Sequence, residues 1–269
     1  MLLEIRGKQM RKIGRLAVAA GLYAAWLTAG HTETAKPTIV LVHGAFADSS
    51  SWNRVVTILE KDGYPVLAVA NPLRGVKTDG EYVAGMVKKV KGNVVLVGHS
   101  YGGSVISDAA AGAENVRALV FVAAFAPEKG ESAVELSGKF PGSTLAPTLA
   151  EPVILPGGQK DLYIEQSKFP DQFAADVPIL TARLMAVAQR PITDAALAEP
   201  APEAAWKSIP SWFIFGDADR NIPPNALRWM ADRAKSRKTV AVEGASHVVM
   251  ISHPGEVAKL VEEAASTDR

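Results

Sequence analysis

Residues 94–103 read Val-Val-Leu-Val-Gly-His-Ser-Tyr-Gly-Gly, a short apolar run that leads into the pattern Gly-x-Ser-x-Gly. The run is typical of a strand buried on both faces, and residues 104–111 after it have a helix-like pattern. A serine between a strand and a helix lies on a tight turn, where neighbouring side chains would clash unless glycines such as Gly98 and Gly102 flank it. This context favours Ser100 as a nucleophile over an ordinary glycine-rich turn.

The rest of the chain alternates between buried-strand and helix patterns. Five further apolar runs predict strands at residues 38–42, 65–69, 118–123, 212–215 and 239–242. Helix-like stretches cover residues 51–61, 81–89, 104–111, 224–233 and 255–265. Alternation of this kind indicates parallel strands joined by right-handed crossovers. We therefore predict an α/β fold with a mostly parallel sheet of about six strands, flanked by helices.

One interval, residues 125–209, is too long for a single crossover helix and is rich in proline and aromatic residues. We interpret it as a cap of several short helices, inserted before the penultimate strand and lying over the C-terminal edge of the sheet, where ligands bind in open α/β folds. Residues 37–124 and 210–269 then form the core. The alternative for any one cap aromatic is that it only packs in the cap's own interior.

Composition narrows the class of protein. The chain has 269 residues, 48% of them hydrophobic, a formal net charge of +1 and no cysteine. This is enough apolar material for one domain, and the balanced charge gives no basic face for nucleic acid. The absence of cysteine excludes disulfides, thiolate nucleophiles and zinc-thiolate sites. We expect a small, mostly uncharged molecule as the ligand, with no cofactor or metal, and the sequence carries no signal for an oligomeric state.

The N-terminus has the layout of a secretory signal peptide. Arg11, Lys12 and Arg15 precede an apolar run at residues 16–27, and small residues follow it. The run is shorter than the ~20 residues that span a bilayer. We therefore expect residues 1–30 to be cleaved, leaving a periplasmic or secreted protein without a stable membrane span. An uncleaved anchor, or Met10 as the true start, is the alternative.

A nucleophilic serine needs a general base, and the chain has only five histidines. His31 lies in the N-terminal segment, and His253 directly precedes the proline that begins the last helix. His43 belongs to the turn after the first predicted strand, and His99 belongs to the Gly-x-Ser-x-Gly turn. His247 remains, in a loop directly after the last predicted strand. The chain order Ser, Asp, His also favours His247 as the base over a structural histidine.

The loop at residues 216–223 contains two candidates for the acid that orients this histidine, Asp217 and Asp219. An oxyanion formed during attack by Ser100 also needs backbone N–H donors. One is the residue after the nucleophile, Tyr101, and the other comes from the loop after the first strand, where Ala45 is our first choice and Phe46 the second.

Four segments together resemble one branch of the α/β-hydrolase fold: residues 42–45, 98–103, 121–127 and 219–223. This branch contains plant hormone methylesterases, hydroxynitrile lyases and bacterial serine esterase relatives, and the resemblance extends over residues 38–265. It implies the α/β-hydrolase fold. The spacing Asp-x-x-Ile-Pro that starts at Asp219 is similar to the acid loop of many α/β-hydrolases, which favours Asp219 as the acid. Asp217 is then a turn residue or a partner of Arg220.

The resemblance also bears on the reaction. The lyases of this branch have a threonine where Gly44 stands and a lysine directly after the catalytic histidine, where this chain has Val248. It therefore implies a serine esterase that cleaves a small to medium, mostly apolar carboxylic ester through an acyl-enzyme. Dehalogenases and epoxide hydrolases of this fold use an aspartate where Ser100 stands. Lactone, amide or carbon–carbon bond cleavage on the same triad, or slow-turnover ligand binding, are the alternatives.

Overall fold

The computed structural model describes residues 35–267. Its main sheet has six strands, all paired in parallel, in the order β2-β1-β3-β4-β8-β9, and β5, β6 and β7 form a small antiparallel sheet. The strands are β1 (Thr38–Val42), β2 (Val66–Val69), β3 (Val94–His99), β4 (Val116–Val122), β5 (Val153–Ile154), β6 (Lys160–Leu162), β7 (Ile192–Thr193), β8 (Ser211–Gly216) and β9 (Lys238–Val242). The predicted six-stranded α/β-hydrolase fold is confirmed.

Helices flank the main sheet and also form part of the segment between β4 and β8. They are α1 (Asn53–Lys61), α2 (Val76–Val87), α3 (Gly102–Ala109), α4 (Ala133–Gly138), α5 (Phe169–Phe173), α6 (Ile179–Ala188), α7 (Asp194–Ala198), α8 (Pro224–Arg233), α9 (Val249–Ser252) and α10 (Pro254–Ala265). The chain moves from β1 to β2 in one direction along the sheet, and from β2 to β3 and β4 in the other. Right-handed crossovers therefore place α1 on one face and α2 and α3 on the opposite face.

The long insertion lies between β4 and β8, before the penultimate strand of the sheet. It contains the four short helices α4 to α7, as expected, and also the small sheet β5-β6-β7, which the sequence pattern did not predict. Those strands are two or three residues long, so they are too short to show an alternation of apolar and polar residues.

Helix α2 begins at Val76, five residues before the predicted start at Glu81. The reason is local. The carboxylate of Asp79, in the first turn, accepts the backbone N–H of Arg74 at 3.1 and 3.2 Å. A carboxylate in the first turn also interacts favourably with the positive end of the helix dipole. The helix therefore starts here although residues 76–80 have no helical pattern of apolar residues.

The predicted signal peptide, residues 1–30, lies outside the described residues. Across residues 35–267, no helix is long and apolar enough to cross a membrane.

The packing of α3 on α2 leads to a stability prediction. The Asp108 carboxylate lies directly over Gly80, where an added Cβ would be 2.1 Å from Asp108 Oδ2. Burial, with smaller contributions from the negative charges of Glu203 and Glu81, raises the pKa of Asp108 to about 6. The native state therefore binds more protons than the unfolded chain between the ordinary aspartate pKa and about 6, and the free energy of unfolding falls as pH rises through this window.

Replacing Asp108 by asparagine is expected to increase the free energy of unfolding at pH 7.5 and to change it little near pH 4. Two pKa units correspond to about 3 kcal/mol, and partial solvent screening reduces the expected gain to about 1 kcal/mol. Urea denaturation at the two pH values measures this, with Asp232→Asn, an exposed carboxylate on α8, as the control. An equal effect of Asp108→Asn at both pH values would contradict the prediction.

Candidate active site

Ser100 lies on the turn between β3 and α3, with its backbone in the left-handed region at φ 54°. The turn leaves no room beside it: a Cβ at Gly98 would lie 2.5 Å from Gly102 O, and a Cβ at Gly102 would lie 2.5 Å from Val42 O. The Ser100 N–H donates to Val122 O at 3.2 Å, which ties the strained turn to β4. A non-glycine residue persists in this conformation only where its surroundings hold it, and such positions cluster at functional sites.

His247 follows β9 and Asp219 follows β8, so both loops lie at the carboxyl edge of the sheet, near the end of β3. His247 Nδ1 is 2.7 Å from Asp219 Oδ2, and both side chains are buried. The other carboxylate oxygen, Oδ1, accepts the backbone N–H groups of Asn221 at 2.8 Å and Ile222 at 3.0 Å. The Asp219 carboxylate is therefore oriented from both sides, as an acid that holds an imidazole in one tautomer must be.

The second candidate acid, Asp217, has a different position. It is exposed, and its Oδ1 accepts the backbone N–H of Gly244 at 2.7 Å. This bond joins the loops after β8 and β9, so the structure gives Asp217 a turn-stabilising contact and places Asp219 against His247.

The two preferred oxyanion donors lie in the same cavity as Ser100. Ala45 and Tyr101 both line it, and within residues 35–267 neither backbone N–H donates a hydrogen bond. The N–H of Phe46, the second choice, donates to Arg190 O at 3.0 Å and is not free to meet an oxyanion.

The cavity that Ser100 lines has a volume of about 180 Å³. His247 also lines it, and most of the remaining wall is apolar, with Leu145, Leu149 and Phe173 from the insertion and Ile222 from the acid loop. Among residues 35–267, no carboxylate, lysine or arginine belongs to this wall, so the cavity suits a small, uncharged, mostly apolar group.

Helix α5 of the insertion contacts the loops that contain Asp219 and His247. The ring of Phe173 lies edge-on to that of His247, with centroids 5.1 Å apart. Its neighbour Gln172 is buried and donates from Nε2 to Arg220 O at 3.0 Å and to Asn221 Oδ1 at 2.7 Å. Sequence reasoning missed Gln172, because nothing local relates it to a loop almost 50 positions later in the chain.

Two histidines that the sequence set aside as bases have supporting positions. His43 Nδ1 is 2.9 Å from Gly44 O, and its Nε2 accepts the backbone N–H of Asn71 at 3.0 Å. Burial lowers the pKa of His43, so the ring is neutral with its proton on Nδ1. It thereby fixes the start of the loop that contains Ala45.

His99 directly precedes Ser100 and contacts the loop of His247. Its Nε2 donates to the backbone O of His247 at 3.1 Å, and the two rings have centroids 4.8 Å apart. Burial, together with the neighbouring His247, lowers the pKa of His99 well below its ordinary value. His99 is therefore a neutral donor that holds the His247 loop and does not compete as a base.

Tyr101 is anchored by a buried pair that the sequence did not reveal. Its hydroxyl donates to Asp79 Oδ2 at 3.0 Å. Burial raises the pKa of Asp79, and burial with the adjacent carboxylate raises the pKa of Tyr101. Because the phenol stays protonated and points to α2, the pair holds the backbone N–H of Tyr101 in place.

Residues 35–267 contain no group of three or more histidine, aspartate or glutamate side chains placed to hold a metal ion. That the reaction needs no cofactor or metal stays a prediction.

The fold and this site define a hydrolase of the α/β class. The sequence model of the Alpha/beta hydrolase family matches residues 39–260, so the chain belongs to this family. Alpha-hydroxynitrile lyase of Arabidopsis thaliana is 26% identical over 240 residues, which cover 81% of this chain and 93% of the lyase. Methylesterase 8 of the same plant is 26% identical over 242 residues, covering 82% of this chain and 87% of the relative.

Among solved structures, the crystal structure of polyneuridine aldehyde esterase superposes with a TM-score of 0.74 at 21% identity, covering 86% of this chain and 100% of that one. The resemblance to plant methylesterases and hydroxynitrile lyases is confirmed.

Proposed function

We propose that this protein is a serine esterase that hydrolyses small to medium, mostly apolar carboxylic esters. Ser100 is the nucleophile, His247 the general base and Asp219 the orienting acid. The observation that carries the proposal is the 2.7 Å contact between His247 Nδ1 and Asp219 Oδ2, with His247 and Ser100 lining one uncharged cavity.

The reaction takes two steps. His247 Nε2 accepts the Ser100 proton as Oγ bonds to the ester carbonyl carbon, and the N–H groups of Ala45 and Tyr101 stabilise the oxyanion. The carbon–oxygen bond to the alcohol then breaks, the alcohol leaves with the proton from His247, and an acyl-enzyme remains. Water, deprotonated by His247, attacks this acyl group, and the acid leaves as Ser100 regains its proton.

Two residues favour ester hydrolysis over the lyase reaction named for one relative. A Cβ at Gly44 would lie 2.6 Å from Ser100 Cβ and 2.7 Å from His99 O, so a threonine at this position requires the backbone to move. Val248, which follows His247, carries no charge and is buried. The relatives named as methylesterase and esterase are consistent with this choice.

Covalent labelling tests the nucleophile without knowledge of the substrate. Diethyl p-nitrophenyl phosphate is expected to release one p-nitrophenolate per chain, with the diethylphosphoryl group found on Ser100 by peptide mass spectrometry. Hydrolysis of p-nitrophenyl acetate and butyrate tests the ester reaction. Labelling without ester hydrolysis would redirect the search to lactones, amides and carbon–carbon bonds. A folded chain that shows neither would indicate ligand binding.

We further propose a periplasmic or secreted mature protein, which rests on residues 11–30 alone. N-terminal sequencing of the protein from fractionated cells tests this, and a full-length chain in the cytoplasm would contradict it.

A further inference from the structure

The described part of the chain also contains a second cavity, which shares Phe46 with the catalytic cavity. Its volume is about 570 Å³, roughly three times that of the catalytic cavity, and Phe46 lines both. Helix α6 supplies Leu184 and Met185 to its wall, while Asp48 and Arg54 contribute charged groups. The wall of the large cavity is therefore apolar along much of the helix and mixed elsewhere, where Val177 and Ile251 lie beside polar residues such as Asp176.

The Phe46 side chain contributes to the walls of both cavities, and the surrounding structure holds its conformation. Its side chain is 3% exposed, and its backbone has φ 59°, a left-handed conformation that costs free energy for a residue with a Cβ. The bond from its N–H to Arg190 O holds this conformation from the insertion. Its ring meets Phe173 edge-on, with centroids 6.2 Å apart, and Phe173 contacts His247.

The volumes of the two cavities indicate how Phe46 affects the size of ligand that each cavity accepts. Sites for drug-sized ligands are typically about 300–1,000 Å³, so the catalytic cavity, at about 180 Å³, is small for anything beyond a short acyl or alcohol group. The second cavity, at about 570 Å³, lies inside that range by itself. Leu184 is 72% exposed there, and an apolar wall left open to water is what a hydrophobic ligand would cover.

We propose that the Phe46 ring limits the length of ester that the catalytic cavity accepts, and that the second cavity receives the distal part of longer esters where this ring is removed or shortened. The ligand class is an uncharged aliphatic or aromatic chain, which packs on α6 with any polar end near Asp48 and Arg54. This inference rests on the proposed esterase function, because the distal chain is defined relative to an ester bond at Ser100.

Paired substitutions on the full-length chain test the wall. The measured quantity is the ratio of kcat/KM for p-nitrophenyl octanoate to that for p-nitrophenyl acetate. Phe46→Ala is expected to raise this ratio about tenfold or more, and Phe46→Leu by less. Leu149→Ala is the matched control, because Leu149 lines the catalytic cavity but not the second one. A ratio unchanged in both Phe46 variants, or raised as much by Leu149→Ala, would overturn the proposal.

Filling the second cavity provides the reverse test. Ala188 lines the second cavity and not the catalytic one, and a tryptophan there is expected to fill part of it. Ala188→Trp is expected to return the ratio of a Phe46 variant to the wild-type value and to leave hydrolysis of the acetate unchanged. If Phe46→Ala does not fold, the same reversal is measured in Phe46→Leu. A raised ratio that Ala188→Trp does not reverse would show that the chain extends elsewhere, against the proposal.

A binding measurement separates this inference from the esterase proposal. Calorimetry measures the affinity of 2-decanone for two inactive variants. The affinity for Ser100→Ala/Phe46→Ala is expected to be about tenfold higher than for Ser100→Ala, and adding Ala188→Trp is expected to remove this increase in affinity. That result without any ester hydrolysis by the wild type would support the wall while the esterase proposal fails. Ester hydrolysis with no change in ratio or binding would overturn the wall and leave the esterase proposal standing.

Discussion

Ser100→Ala is expected to lower kcat/KM for p-nitrophenyl butyrate by about 10⁵- to 10⁶-fold. Removal of Oγ leaves the cavity without the proposed nucleophile. Among the described residues, the other hydroxyl-bearing side chains of its wall are Ser137, Ser143 and the phenol of Tyr101, which is held by Asp79. Any remaining rate would come from the oxyanion donors and from binding. The strained turn keeps its backbone contacts, since an alanine has the same Cβ.

The matched control is Ser137→Ala, in α4 on the wall of the same cavity. It is expected to keep about wild-type activity, since nothing in the structure places its hydroxyl near His247. Stopped assays with p-nitrophenyl butyrate, with circular dichroism to check folding, measure both variants. If Ser100→Ala kept more than a few per cent of the activity, another nucleophile would have to be sought.

Asp219→Asn is expected to lower kcat by about 10⁴-fold while the fold is kept. The asparagine oxygen still accepts the N–H groups of Asn221 and Ile222, as Oδ1 does now. Its amide NH₂ then faces His247 Nδ1 and makes that nitrogen an acceptor. The imidazole proton moves to Nε2, and the ring is no longer able to take the proton of Ser100.

Asp217→Asn separates the two aspartates of this loop. Its oxygen still accepts the Gly244 N–H, and Asp217 has no contact with His247, so activity close to wild type is expected. The measurement is kcat for p-nitrophenyl butyrate, with the diethylphosphoryl labelling rate as a second readout of Ser100. A larger loss in Asp217→Asn than in Asp219→Asn would reverse the assignment of the acid.

Most of the sheet was predictable from local patterns. All six main strands were predicted because strands buried on both faces are continuous apolar runs that stand out against polar helices. The start of α2 was predicted five residues late, because its first turn depends on a side-chain contact of Asp79 and not on an apolar stripe.

For the insertion between β4 and β8, the sequence predicted the position and the short helices but not the detailed contacts. Its length and its position before β8 predicted a separate layer of short helices. Its small sheet, and the contacts of α5 with the loops of Asp219 and His247, were not predictable. Gln172 bonds to Asn221, and Phe173 packs on His247, across separations of 49 and 74 positions in the chain. No periodicity or motif encodes such pairs.

A feature was predictable from the sequence where its interactions join neighbours in the chain, and it needed the tertiary structure where they join distant segments. Ser100 and its flanking glycines belong to one contiguous turn, whose steric limits act between neighbours in the chain, so the sequence indicated the nucleophile without coordinates. Chain order and the resemblance also predicted Asp219 and His247 as partners. Their 2.7 Å contact, the neutral supporting roles of His43 and His99, and the proposed role of Phe46 between two cavities depend on packing between distant segments. Burial and distance give those residues their roles, and both exist only after the chain has folded.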